Sequence, residues 1–221
     1  MKKLHLTDTY NSKVWFTSDT HYMHKNICRG TSNWEDLDST RPFKTLHQMN
    51  QQIVEGINAL VGEDDTLVHL GDWSFGGYEM VKEFRNLIVC KNVHLVLGNH
   101  DHHIDINRDN LQDLFSSVSH MLEISIDQYA TIDGGPLNVE VQACHYPMMS
   151  WKDMNKGAMH LHGHCHLPPD KVHAGKGRIM DVGMDGNGML PVAFRRISSI
   201  LMARFPVSSL PFEDHHSKKK R

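Results

Sequence analysis

Five short stretches of this 221-residue chain carry residue types suited to holding metal ions. They are Asp19 and His21 in "SDTH", Asp72 in "LGD", Asn99 with His100 in "GNHD", His145 in "CHYP", and His164 with His166 in "HGHCH". Asp, Asn and His without thiolate suit Mn, Fe, Zn or Ni rather than a structural cysteine-rich zinc site. Asp19, His21, Asp72, Asn99, His145, His164 and His166 are seven potential ligands, more than one tetrahedral ion uses. Two ions sharing a carboxylate, roughly 3.5–4 Å apart, fit better, and that is the spacing of two-metal hydrolases. The stretch "MHLHGHCHLPP" places histidines at 160, 162, 164 and 166. On an extended chain these four imidazoles are expected on one face, with His164 and His166 about 6.5 Å apart at Cα and able to serve neighbouring ions. His160 and His162 read equally as supports for ligating rings or as satisfied core or surface histidines.

The elements that must position these residues read as α/β. "KVWFTSD" (13–19), "TLVHLGD" (66–72) and "NVHLVLGNHD" (92–101) are apolar runs ending in polar, ligand-type residues. In open α/β sheets, ligands sit at the carboxyl ends of strands. Leu46, Met49, Ile53, Ile57 and Leu60 recur at helical steps, and Val81, Phe84 and Ile88 predict a second helix over 78–88. "DGGP" signals a turn between two alternating, strand-like stretches, and "RIMDVGM" and "PVAFRRISSI" read as two further strands. His69 and His94, inside apolar strands, are expected buried and hydrogen-bonded. One domain is expected over residues 1–214, followed by a charged tail, 215–221.

In this order the motifs resemble those of the calcineurin-like metallophosphoesterases, in particular a small microbial and phage type. D-x-H stands as Asp19-Thr20-His21, G-D as Gly71-Asp72, G-N-H-D as Gly98-Asn99-His100-Asp101, then a lone His145, and G-H-x-H as Gly163-His164-Cys165-His166. The resemblance implies a sandwich of two mixed β-sheets flanked by helices. It implies one divalent ion held by Asp19, His21 and His166, a second by Asn99, His145 and His164, and Asp72 bridging both. The implied reaction is hydrolysis of a phosphate ester by metal-activated water, with Asn99 and His100 on the substrate phosphate. His100 would protonate the leaving oxygen, a step typically worth ~10²–10⁴ in rate. His24, in "SDTHYMHKNI", would contact the phosphate at the pocket mouth.

The chain departs from the protein-phosphatase branch, which reads G-D-x-V-D-R-G where this sequence has "GDWSFGG". Phe75 replaces the aspartate that orients the catalytic histidine there, and Gly76 replaces a phosphate-binding arginine. Asp101 is a candidate to orient His100 instead, or a turn cap. Trp73 and Trp151 follow ligand segments, where they could stack on a nucleobase or pack the loops. Loops 22–43 and 146–158 are long and polar, as specificity loops are.

Composition narrows the partners. A net charge of −3, with no basic stripe before the tail, weighs against a protein that grips nucleic acid through phosphates. The expected substrate is a small phosphomonoester or phosphodiester, a nucleotide among the candidates. The alternatives are a nuclease acting on DNA or RNA ends, and a non-catalytic metal-binding module, which predicts eroded ligands. Mn leads among the metals, with Fe, Zn and Ni as alternatives. Four cysteines without paired spacing, short apolar runs and no secretory segment read as a cytoplasmic chain without a membrane span.

Overall fold

A computed structural model describes residues 3–107, 114–129 and 135–207. The three apolar runs become β2 (Val14–Thr17), β3 (Thr66–His69) and β4 (Asn92–Val96), paired in parallel. β5 (Ser117–Ser119) extends them in parallel and β10 (Val192–Ala193) closes the other edge antiparallel, giving the order β10-β2-β3-β4-β5. The second sheet holds β1 (Lys3–Asp8), β6 (Met121–Gln128), β7 (Leu137–Cys144), β8 (Met159–His162) and β9 (Ile179–Asp181) in the order β1-β6-β7-β8-β9. Only β6 and β7 pair antiparallel in it, so both sheets are mixed.

Alternation along the strands builds two cores. Phe16, Val68 and Val96 face the second sheet and meet Ile124, Val141 and Leu161. Their neighbours Trp15, Leu67 and Leu95 point the other way, because successive strand side chains alternate. There they are covered by α1 (Leu46–Leu60) and α2 (Tyr78–Leu87) through Met49, Ile53, Ile57, Val81 and Phe84. The Thr45 side chain caps α1 by accepting the Gln48 N–H. A short α3 (His102–Ile106) follows the "GNHD" segment. The result is the expected sandwich of two mixed sheets with flanking helices.

Two expectations need correction or addition. "PVAFRRISSI" is not a full strand: β10 ends at Ala193 and the chain turns into α4 (Phe194–Met202). Phe194, Ile197 and Leu201 are buried at three- and four-residue steps, a helical period that the short strand-like start obscured. β1 carries a half-polar pattern typical of a sheet edge and was not anticipated. Asp133 and Gly134 of "DGGP" lie outside the described residues; β6 and β7, before and after that stretch, pair antiparallel. The tail 215–221 also lies outside them. Among the described residues, no helix is long and apolar enough to cross a membrane.

Candidate metal centre

All five ligand segments leave carboxyl ends of strands: β2, β3 and β4 from one sheet, β7 and β8 from the other. The backbone is left-handed at Asp19 (φ 56°), His21 (49°), Asp72 (56°), His164 (70°) and His166 (47°). Such angles disfavour L side chains, and their concentration on ligand candidates marks a built site. The segments are stitched together by main-chain bonds: Asp19 N–H to Gly71 O at 2.9 Å, His21 N–H to Asp72 O at 3.0 Å, and Gly163 N–H to His145 O at 3.0 Å. Two glycines permit this approach. A Cβ on Gly98 would stand 2.3 Å from Asp72 Oδ1, and one on Gly163 would stand 2.0 Å from Ser18 Oγ.

The turn at Gly163 corrects the picture of four histidines on one strand face. β8 ends at His162, so only His160 and His162 share its face, their rings 5.5 Å apart. His164 and His166 lie beyond the strand, aimed by left-handed backbone rather than by strand alternation.

The seven ligand candidates converge. His21 Nε2 lies 3.2 Å from His166 Nε2, and these two nitrogens lie 3.9 and 3.8 Å from Asp19 Oδ1. Asp72 Oδ2 stands between two imidazoles, 3.6 Å from His21 Nε2 and 3.5 Å from His145 Nε2. Asn99 Oδ1 is 3.0 Å from both His145 Nε2 and His164 Nδ1. The Leu70 carbonyl can only accept, so His145 donates Nδ1–H to it at 2.7 Å and turns the Nε2 lone pair to the cluster. Asp185 takes the Nδ1–H of His166 at 2.6 Å with the same consequence. Burial pushes the Asp19 carboxyl up to about 6; His166 and His145 oppose that shift, while the charge of Asp72 adds to it. Burial, then the charge of Arg41, pushes His21 well below the ordinary histidine range. Converging lone pairs and buried carboxylates are the chemistry of a cation site. Asp19, His21 and His166 form one close donor group and Asp19, Asp72 and His145 another. The residues therefore fit two divalent ions.

The remaining candidates divide. His100 donates its backbone N–H to Asp72 Oδ1 at 2.9 Å, and its exposed ring lies 4.8 Å from Phe75 and 5.6 Å from His21. The His24 ring stacks on Phe75 at 3.8 Å and lies 6.3 Å from His100. Burial, then His100 and Arg41, lowers its pKa to about 4, so the ring is neutral. Asp101 makes no hydrogen bond to the His100 ring. Its Oδ1 accepts the Trp73 N–H, and its Oδ2 accepts those of Asp72 and Gly98. Trp73 cannot stack on a substrate: it is 0% exposed, packed on Phe84 and Phe115, with its indole N–H on the Val81 carbonyl. Trp151 is half-buried, donates to the Ala158 carbonyl and lies against His160.

His160 donates Nδ1–H to the Gln142 carbonyl and accepts the Met148 N–H on Nε2, and burial lowers its pKa to about 4. It thus supports loop 146–158 rather than an ion. His162 is buried and donates to the Gly163 carbonyl. His69 is buried between Thr20 Oγ1 and the Gly71 N–H, and His94 bonds Ser117.

Sequence reasoning missed Arg41 and Asp185. Arg41 is 3% exposed and pairs with Asp185, the carboxylate behind His166. Burial works against the Asp185 charge, but the Arg41 and His166 hydrogen bonds outweigh it and hold the carboxyl well below its ordinary range. "TRPF" lies in the polar loop 22–43 and "MDGNG" runs on from the strand-like "RIMDVGM", and no spacing ties either to a candidate ligand segment.

The chain matches the family described as calcineurin-like phosphoesterase over residues 12–192. It is 28% identical over 188 residues to the Gene 66 protein of Mycobacterium phage D29, covering 79% of this chain and 88% of that protein. The Gene 66 protein of Mycobacterium phage L5 is 26% identical over 197 residues, covering 81% and 89%. A crystal structure of a protein of unknown function, AQ665 from Aquifex aeolicus, shares the fold with a TM-score of 0.59 at 20% identity, covering 86% of this chain and 100% of its own. The chain belongs to the calcineurin-like phosphoesterases.

Proposed function

We propose that the protein is a dinuclear, metal-dependent phosphoesterase that hydrolyses a small phosphomonoester or phosphodiester. The observation that carries this reading is the pair of donor sets facing Asp72 Oδ2, with the exposed His100 ring beside them. Two bound divalent ions, Mn first and Fe, Zn or Ni as alternatives, would bring the pKa of water toward neutrality and neutralise the phosphoryl oxygens. Asn99 and His100, both exposed, would contact the substrate phosphate. The His100 ring forms no hydrogen bond among the described residues, which leaves a ring nitrogen free to give its proton to the leaving oxygen. Asp72 accepts the His100 backbone N–H and so ties that ring's position to the ion-holding carboxylate.

Two part-exposed aromatic rings lie beside histidines of the site. Trp34, 41% exposed, lies 5.9 Å from His24, and Tyr146, 43% exposed, lies 4.8 Å from His164. They belong to loops 22–43 and 146–158 and suit a flat substituent such as a nucleobase, so a nucleotide is the favoured substrate. All four cysteines are free, which suits a reducing, cytoplasmic setting. The test is hydrolysis of nitrophenyl phosphate and bis-nitrophenyl phosphate by chelated protein reloaded with Mn²⁺, beside His100→Ala. Ion-dependent turnover that falls by about 10²-fold or more in the variant supports the reading. Absence of turnover with Mn²⁺, Zn²⁺, Fe²⁺ and Ni²⁺ overturns it.

A further inference from the structure

The two halves of the centre are supported unequally. His145 leans on a neutral carbonyl, Leu70 O. His164 is exposed, and among the described residues no hydrogen bond reaches its Nε2. His166 instead leans on a carboxylate, and that carboxylate is held by a buried guanidinium.

The Arg41 bonds form a strut. Nε donates to Asp185 Oδ1 at 2.8 Å and Nη2 to Asp185 Oδ2 at 2.9 Å, the bidentate geometry that fixes a carboxylate plane. The same guanidinium reaches the ligand segment: Nη2 donates to the Asp19 carbonyl at 2.6 Å and Nη1 to the Thr20 carbonyl at 2.8 Å. One side chain therefore grips the backbone of Asp19 and Thr20 and the carboxylate behind His166. Arg41 is itself anchored in loop 22–43, since its N–H goes to Ile27 O at 2.7 Å and its carbonyl accepts the Arg29 and Phe43 N–H groups. A lysine could not reproduce this fork of planar donors.

We propose that Arg41 and Asp185 are positioning residues for one ion site. They fix the His166 ring with Nε2 toward Asp19 and His21, and they hold the Asp19–Thr20 backbone that presents the other ligands. This inference rests on the reading of Asp19, His21 and His166 as ion ligands. A carboxylate behind a ligating imidazole fixes ring orientation and makes the ring a better donor, and its loss typically costs ~10–100-fold in metal affinity. The alternative is an ion pair that only joins loop 22–43 to the turn at 185–187. Such a pair would change stability without distinguishing the two ions.

The experiment is calorimetric titration of Mn²⁺ into chelated wild-type protein, Asp185→Ala, Asp185→Asn, His166→Ala and the His166→Ala/Asp185→Ala double variant. Folding of each is verified by far-ultraviolet circular dichroism. Wild type is expected to take two ions. Asp185→Ala should weaken one of them ~10–100-fold and leave the other unchanged. Asp185→Asn, which keeps the shape and an acceptor oxygen, should fall between and serves if the alanine variant does not fold. On the His166→Ala background, adding Asp185→Ala should weaken binding by much less than it does alone, because Asp185 acts chiefly through that ring. Unchanged affinities, equal weakening of both ions, or full additivity in the double variant would overturn the inference. A wild-type chain that takes up no Mn²⁺ overturns it together with the proposed function. Ion uptake is read without substrate, so two bound ions with no hydrolysis would overturn the function alone.

Discussion

Asp101 Oδ2 accepts the backbone N–H of Asp72 at 2.8 Å, so the residue after His100 fastens the turn whose carboxylate stands between His21 and His145. The same oxygen takes the Gly98 N–H at 2.8 Å, and Oδ1 takes that of Trp73 at 2.9 Å. One buried carboxylate therefore clamps the turns after β3 and β4 together. Its chemistry is that of a main-chain anchor, and the His100 ring is placed by other contacts.

Replacing Asp101 by Asn would set an amide NH₂ group against backbone N–H donors. Hydrogen bonds to a charged acceptor contribute more than neutral ones, and an unmet buried donor adds its own penalty. Asp101→Asn is expected to lose about 3 kcal/mol of stability in the metal-free protein by urea unfolding. The pH profile of its residual activity should keep the wild-type shape. A variant of unaltered stability with a shifted profile would instead assign Asp101 to orienting the His100 ring.

His160 should make the protein acid-sensitive. Its pKa falls from the ordinary 6.5 to about 4, because burial disfavours the charged ring. The unfolded chain then binds the proton more readily. The contribution of this group is whole above about pH 6.5 and is lost as pH falls toward 4. The full loss is about 3 kcal/mol. Burial raises the Asp19 pKa to about 6, which acts in the opposite sense, so the informative quantity is the difference between wild type and His160→Gln. That difference in urea-derived stability should shrink between pH 6.5 and 4 and stay constant above pH 6.5. A difference that is the same at every pH would contradict the assignment.

The left-handed backbone at His164 allows a clean comparison, since its side chain is exposed and both Gly and Ala remove the imidazole. Only Gly adopts φ near 70° without a Cβ penalty. His164→Gly is expected to unfold about 1 kcal/mol later than His164→Ala, while both lose affinity for one ion equally. Equal stabilities, read by thermal melts of the metal-free proteins, would show that no strain resides there.

Phe75 packs against three imidazoles, 3.8 Å from His24, 4.8 Å from His100 and 5.5 Å from His21. It is half-buried, and no ion ligand depends on it for a hydrogen bond. Phe75→Ala is expected to lower kcat about 10–100-fold through loss of His100 placement, with both ion affinities retained. Unaltered kcat, or loss of an ion in calorimetry, would remove Phe75 from that role.

Much of this architecture is legible in the sequence, for identifiable reasons. "VWFT" and "TLVH" are buried on both faces, and "NVHLV" is buried at Val93, Leu95 and Val96, so all three read as strands. The candidate ligand residues follow them directly, so order along the chain carries the candidate site. Loop conformation is less legible. His164 and His166 look like alternating strand residues, yet the close approach of Gly163 to Ser18 and Asp19 ends β8 before them. Trp73 follows a candidate ligand and looks available, but its indole packs on Phe84 of α2 and donates to the Val81 carbonyl. Arg41 and Asp185 are 144 residues apart, and only the fold brings them together. Helix α4 was hidden by two apolar residues that do begin as a strand.

If two ions act at one centre, the stoichiometry of activation reveals it. Chelated protein would be titrated with Mn²⁺ while bis-nitrophenyl phosphate and nitrophenyl phosphate hydrolysis is followed, with bound ion measured in parallel by plasma mass spectrometry. Turnover should rise to a plateau only as the second ion fills, and Asp72→Asn protein should hold fewer ions and turn over at least about 10²-fold more slowly. Full activity with a single ion bound, or activity that survives chelation, would contradict a two-ion centre.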